Sequence, residues 1–142
     1  PSVHVVQNAV RGAMGLEPIF LTCSQVNTRD NTPIRDYVNV EDLNVAHIKA
    51  LELLLNGKGN LIINLGTGKG NSVLEVIRAV ERITGSELAI NKGVNREGEY
   101  SQMVASNRRA KKILKWEPKR NLEDSVRALV RWYSNCPDGW KE

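Results

Sequence analysis

The chain has 142 residues, of which 41% are hydrophobic and 25% charged, with a formal net charge of +4. This length suits one domain with a core of its own and the composition of an ordinary globular protein. No run of about 18 apolar residues suggests a membrane span, and polar and charged residues near the start break any signal-peptide pattern.

Val3, Val6 and Val10 recur at helical spacing, which predicts a helix over residues 2–11 closed by Gly12. Pro18 to Leu21 is a short apolar run that reads as a strand, followed by a polar, turn-rich loop from Cys23 to Pro33. Ile34 to Val40 is predicted to be a second strand, placing Arg35, Tyr37 and Asn39 on one face. Glu41 and Asp42 then stand where negative charge favours a helix N-terminus. Leu43, Ala46, Ala50, Leu51, Leu54 and Leu55 form that helix's apolar stripe, and Gly57 ends it.

Leu61 to Leu65 reads as a buried strand, Gly66 to Gly70 as a loop, and Ser72 with Glu75 as a capping box. Val73, Val76, Ile77, Val80 and Ile83 make the buried stripe of the next helix, stopped by Gly85. With Leu88 to Ile90 as a further strand, residues 61–90 are predicted to form a β-loop-α-β unit. A basic helix follows from about Asn107 to Leu114, then a last helix beginning at Asn121. The predicted class is α/β, a small mixed domain over residues 1–142.

The motifs narrow the chemistry. Gly66 and Gly68 fill two positions of a dinucleotide fingerprint, but Asn71 stands at the third and Gly70 comes one residue early. The loop therefore reads as a tight structural turn. Neither His4 nor His47 lies in a nucleophile context, and no GxSxG elbow is present. Cys23 and Cys136 have no metal-ligand spacing, and a reducing cytoplasm is the default location for such thiols. The basic run Arg108, Arg109, Lys111, Lys112 and Lys115 reads as a solvated helix face. It lacks the aromatic residues or motif expected of a nucleic-acid site. Arg35 and Arg96 each stand beside an acidic residue, Asp36 and Glu97. An Arg–Asp structural pair is one reading. Two guanidinium forks onto a diphosphate is the other.

Three blocks add to this reading: TRDNTPIRDYVNVEDLNVAH, NLGTGKGNSVLEVI and REGEYSQMVASNRRAKKILKWEPKRNLEDSV, in this order. Together they resemble the carboxy-terminal, substrate-binding half of the UDP-glucose 4-epimerase family of extended short-chain dehydrogenase/reductases, over essentially the whole chain. The resemblance implies the substrate domain of such nucleotide-sugar epimerases, without their NAD-binding Rossmann domain. It implies that Arg35 and Arg96 bind the diphosphate of a UDP-sugar. Glu99 falls where the family has an aspartate on the ribose, Phe20 matches the residue flanking the uracil, and Met103 falls at the border of the sugar pocket.

The family's catalytic Tyr-x-x-x-Lys is missing: Tyr37, Tyr100 and Tyr133 are followed four residues on by Glu41, Val104 and Pro137. The chain alone is therefore expected to bind no cofactor and to run no epimerisation, which in the family needs NAD as hydride carrier. A separate NAD-binding partner chain would restore the chemistry. Without one, a non-catalytic binding or interaction module is the alternative. An apolar face meant for the Rossmann half is expected to drive homo-oligomer formation.

Overall fold

The computed structural model describes residues 4–21, 23, 25–92 and 98–139. Helices α1 (Val5–Ala13), α3 (Val73–Thr84) and α4 (Leu122–Asn135) pack on one another, and α1 packs on strand β1 (Ile19–Leu21). Val10, Val76, Val80 and Val126 are fully buried where they meet. Val10, Val76 and Val80 are apolar positions read from the sequence, and burying all four is the main force holding the three helices together.

Gly12 does not stop α1. It lies inside the helix, and a Cβ there would sit 2.2 Å from an Ile19 side-chain carbon. The glycine is what lets the helix lie this close to β1. Two helix starts follow the predicted chemistry. Ser72 caps α3 in a reciprocal box with Glu75, and Asn121 caps α4 with Asp124. Gly85 closes α3 in the left-handed conformation at φ 70°.

Strand β1 pairs in parallel with β4 (Ile90–Lys92), while β2 (Ile34–Arg35) lies between β3 (Asn71–Ser72), antiparallel, and β5 (Gln102–Met103), parallel. The predicted strand 34–40 is thus cut to two residues. After Arg35 the Asp36 carboxylate turns to take loop amides, and Asn39 caps α2 (Val40–Leu55) through its side chain and the Glu41 N–H.

A second, smaller core joins Ala46 of α2 to Ala110 and Leu114 of a π-helical turn (Ala110–Leu114) and to Trp116. Asp42, 2% exposed, anchors it. Its carboxylate accepts from the Lys119 and Arg120 N–H groups and from the Arg120 guanidinium, and its carbonyl accepts from the Trp116 indole. The residue read as a helix-dipole partner is a buried staple.

The largest departure from expectation lies at 61–65. The predicted buried strand pairs with no other strand among the described residues, and Ile62 is 83% exposed. Ile63 and Leu65 reach inward to the second core, while Ile62 and Asn64 face out. The β-loop-α-β unit expected at 61–90 is accordingly replaced by the short β3 leading into α3. Beside this segment, α2 turns Val45, Ile48, Leu51 and Leu55 to solvent, so the helix is apolar on two sides. Among the described residues no helix is long and apolar enough to cross a membrane.

Candidate functional site

A cavity of about 730 Å³ opens beside α1, β1 and β2. Phe20, Cys23, Arg35, Tyr37 and Glu99 all line it. Each arrives by a different route. Phe20 comes from β1, where alternation turns it outward and leaves it 54% exposed. Arg35 comes from the end of β2, and Glu99 from the segment leading to β5.

Arg35 is held firmly. Its Nη1 donates to the Ile34 and Tyr100 carbonyls at 2.9 Å each, and its Nη2 donates to Glu99 Oε1 at 3.2 Å. Three of its five N–H groups are engaged among the described residues, which leaves two for a ligand. The ion pair with Glu99 is half-shielded, the side chains being 27% and 15% exposed. Tyr37 stays neutral: burial pushes its hydroxyl up to about 12, against the opposing pull of Arg35.

The other sequence-predicted residues are placed differently. Met103 is the β5 partner of Arg35 in register but is 55% exposed and does not line the cavity. Arg96 lies outside the described residues. The structure therefore brings Phe20, Arg35 and Glu99 together and sets Met103 aside.

The sequence reading missed the role of Asp36. Its Oδ1 accepts from Thr67 N at 2.9 Å and Thr67 Oγ1 at 2.5 Å, and its Oδ2 from Gly68 N at 3.1 Å and Ala105 N at 3.2 Å. One carboxylate thus ties β2, the glycine loop and the exit of β5. A Cβ on Gly70 would come within 2.3 Å of an Ile34 side-chain carbon, so the loop's glycines serve close packing against the protein. A phosphate arriving at the Thr67 and Gly68 amides would meet a negative charge already in place. The signal was available: an aspartate beside an arginine, with a Gly-Thr-Gly turn needing an acceptor.

No family model matches the chain. The UDP-glucose 4-epimerase of Rhizobium meliloti (strain 1021) is 34% identical over 98% of this chain and 43% of its own length. A crystal structure of a UDP-glucose 4-epimerase superposes with a TM-score of 0.92 at 35% identity, covering 100% of this chain and 44% of that one. The Bifidobacterium longum enzyme, solved in complex with NAD+ and UDP, gives 0.90 at 27% identity over 98% of this chain and 42% of its own. The chain thus spans somewhat over two fifths of the length of these relatives. Fold and sequence together are those of part of an extended short-chain dehydrogenase/reductase. Within that class the chain belongs to the UDP-glucose 4-epimerase family and is homologous to part of its members.

Proposed function

We propose that the chain is the carboxy-terminal, UDP-sugar-binding portion of an NAD-dependent UDP-glucose 4-epimerase, a cytoplasmic isomerase of carbohydrate metabolism. The observation that carries this is the convergence of Phe20, Arg35 and Glu99 on one cavity. An aromatic face, a fixed guanidinium and a hydroxyl acceptor are what a base, a diphosphate and a ribose require. Arg96 would add a second guanidinium and Met103 would border the sugar. The parent reaction inverts C4 by transient oxidation to a 4-keto sugar.

This chain supplies binding and not the redox step. Its sequence holds no Tyr-x-x-x-Lys to move the proton. Its glycine loop is a poor fit for a dinucleotide, since the Asp36 carboxylate takes the amides a phosphate would need. NAD and the catalytic tyrosine would come from the portion of the relatives' length that this chain does not span, within one polypeptide or as a partner chain. The exposed apolar face of α2 and the unpaired segment 61–65 favour such a partner, or a second copy in its absence.

Calorimetric titration with UDP and UDP-glucose at low salt tests the reading. Binding that Arg35→Ala and Arg96→Ala each weaken at least about tenfold supports it. No heat from either ligand would sink it in favour of a non-catalytic interaction module.

A further inference from the structure

We propose that the surface carrying Lys49, Lys69, Arg108, Arg109, Lys112 and Lys115 docks a short acidic segment of another protein. None of the six lines the cavity of Phe20, Arg35 and Glu99, so the assignment is independent of the UDP-sugar reading. They come from three places in the chain. Arg108 and Arg109 lead into the π-helical turn that carries Lys112, and Lys115 caps it. Lys49 reaches across from α2, its Nζ donating to the Lys115 carbonyl at 3.3 Å. At the other end, Asn107 Nδ2 donates to the Gly66 carbonyl at 3.3 Å, which brings the glycine loop, and Lys69 with it, up to the start of the turn.

No carboxylate answers this charge. Lys49 is half-buried and the other five are exposed, and none enters an ion pair among the described residues. The nearby acids are committed elsewhere: Glu117 to Lys111, and Glu41 and Asp42 to Arg120. Glu52, one turn along α2 from Lys49, pairs with none of the six. With these six set aside, the chain holds 16 acidic against 14 basic residues, so its excess of +4 is gathered here. Lys115 adds an independent sign. It is left-handed at φ 51°, where every other described residue of positive φ is a glycine or Asn31. A long side chain suffers a steric clash there that glycine avoids. Strain of this kind, kept in the middle of a row of cations, marks a position that serves charge rather than packing.

Shape selects the partner. Single-stranded nucleic acid needs exposed aromatic faces, and Trp116, the aromatic residue of this segment, is 2% exposed. An anionic bilayer needs apolar side chains beside the cations. Of the exposed apolar residues of α2, only Val45 lies near Lys49; Ile48, Leu51 and Leu55 stand about 100°, 160° and 120° around the helix from it. The row covers about 10 Å from Arg108 to Lys115 plus the reach of the long side chains at each end, which roughly six extended residues match. A duplex would run well past it onto a surface that is acidic on balance.

Fluorescence anisotropy with labelled hexaglutamate, and hexaglutamine as the neutral control, tests this at low ionic strength. The wild-type chain should bind hexaglutamate at least about tenfold tighter than hexaglutamine, with an affinity that falls as salt is raised. Arg108→Gln with Arg109→Gln, and Lys112→Gln with Lys115→Gly, should each weaken it about fivefold. Arg78→Gln with Arg127→Gln, exposed on α3 and α4, should leave it unchanged. Either of the first two pairs suffices once circular dichroism shows it folded. Lys115→Gly alone should raise the urea midpoint while weakening the peptide, and a glycine variant of unchanged affinity overturns the role given to Lys115. No hexaglutamate binding by the wild type overturns the site, as does an equal loss in the control pair. Tighter binding to oligothymidylate or to phosphatidylserine vesicles than to hexaglutamate overturns the choice of partner.

Discussion

Gly66 and the Asp36 carboxylate touch: a Cβ added to Gly66 would lie 2.6 Å from Asp36 Oδ2 and 2.6 Å from the Ala105 Cβ. Neither neighbour is the loose end of a long side chain. Gly66→Ala is therefore expected to destabilise the fold by about 1–3 kcal/mol, the usual cost of forcing a methyl into a packed site. A lowered urea midpoint with an unchanged slope is the outcome to look for.

Asp36→Asn should cost more than its small change in shape suggests. An amide group presents donors on one side, where four donors now converge on two carboxylate oxygens. At least one part-buried N–H loses its acceptor, a loss of about 1–2 kcal/mol. Because β2 also carries Arg35, UDP affinity is predicted to fall in step with stability. Full retention of both would show that the loop is held by something else.

Asp42 is one of the carboxylates, with Asp30 and Glu75, held low enough to contribute to behaviour in acid. Burial alone would raise its carboxyl, but the Arg120 and Lys119 N–H groups and the Arg120 guanidinium outweigh burial and hold it below the ordinary carboxylate range. The sign follows: stability from this group is present above the unfolded value near 3.8 and is lost as pH falls through the lower folded value. Asp42→Asn should remove about 1–3 kcal/mol at neutral pH, because the Lys119 and Arg120 N–H groups lose a charged acceptor while Glu41 still pairs with the Arg120 guanidinium. It should also flatten the stability profile below about pH 4. An acid limb of the same steepness in the variant would assign acid unfolding to other groups.

The outward face of α2 predicts self-association. Ile48, Leu51, Leu55 and Ile62 are all more than half exposed, at 59%, 56%, 79% and 83%. So many large apolar side chains exposed on and beside one helix are seldom left bare. Sedimentation equilibrium should show a dimer or higher species, and Leu51→Glu with Ile62→Glu should return it to monomer. A wild-type chain that stays monomeric at high concentration would refute this.

Much of the architecture was legible because it rests on local rules. The box at Ser72, the helix start at Asn121 and the valine stripes of α1 and α3 all follow from nearest neighbours. The failures share one cause, which is that the deciding partner lies far away in sequence. Asp36 belongs to a loop about thirty residues on and Asp42 to a segment almost eighty residues on. Leu61 to Leu65 has the composition of a strand, but composition cannot supply the neighbouring strand that would make it one. At the site, motif matching brought Phe20, Arg35 and Glu99 to one wall, yet nothing local showed that Glu99 would pair with Arg35.

The bare segment has a consequence for dynamics. None of the amides from Leu61 to Leu65 finds a backbone acceptor among the described residues, so in the isolated chain they should trade hydrogen for deuterium almost as fast as an unfolded peptide. Any neighbour that lays a strand against them would slow that exchange at alternate positions, leaving the amides of the buried α3 unaffected. Five consecutive residues thus form a built-in gauge of whether this surface is covered, readable without knowing what covers it.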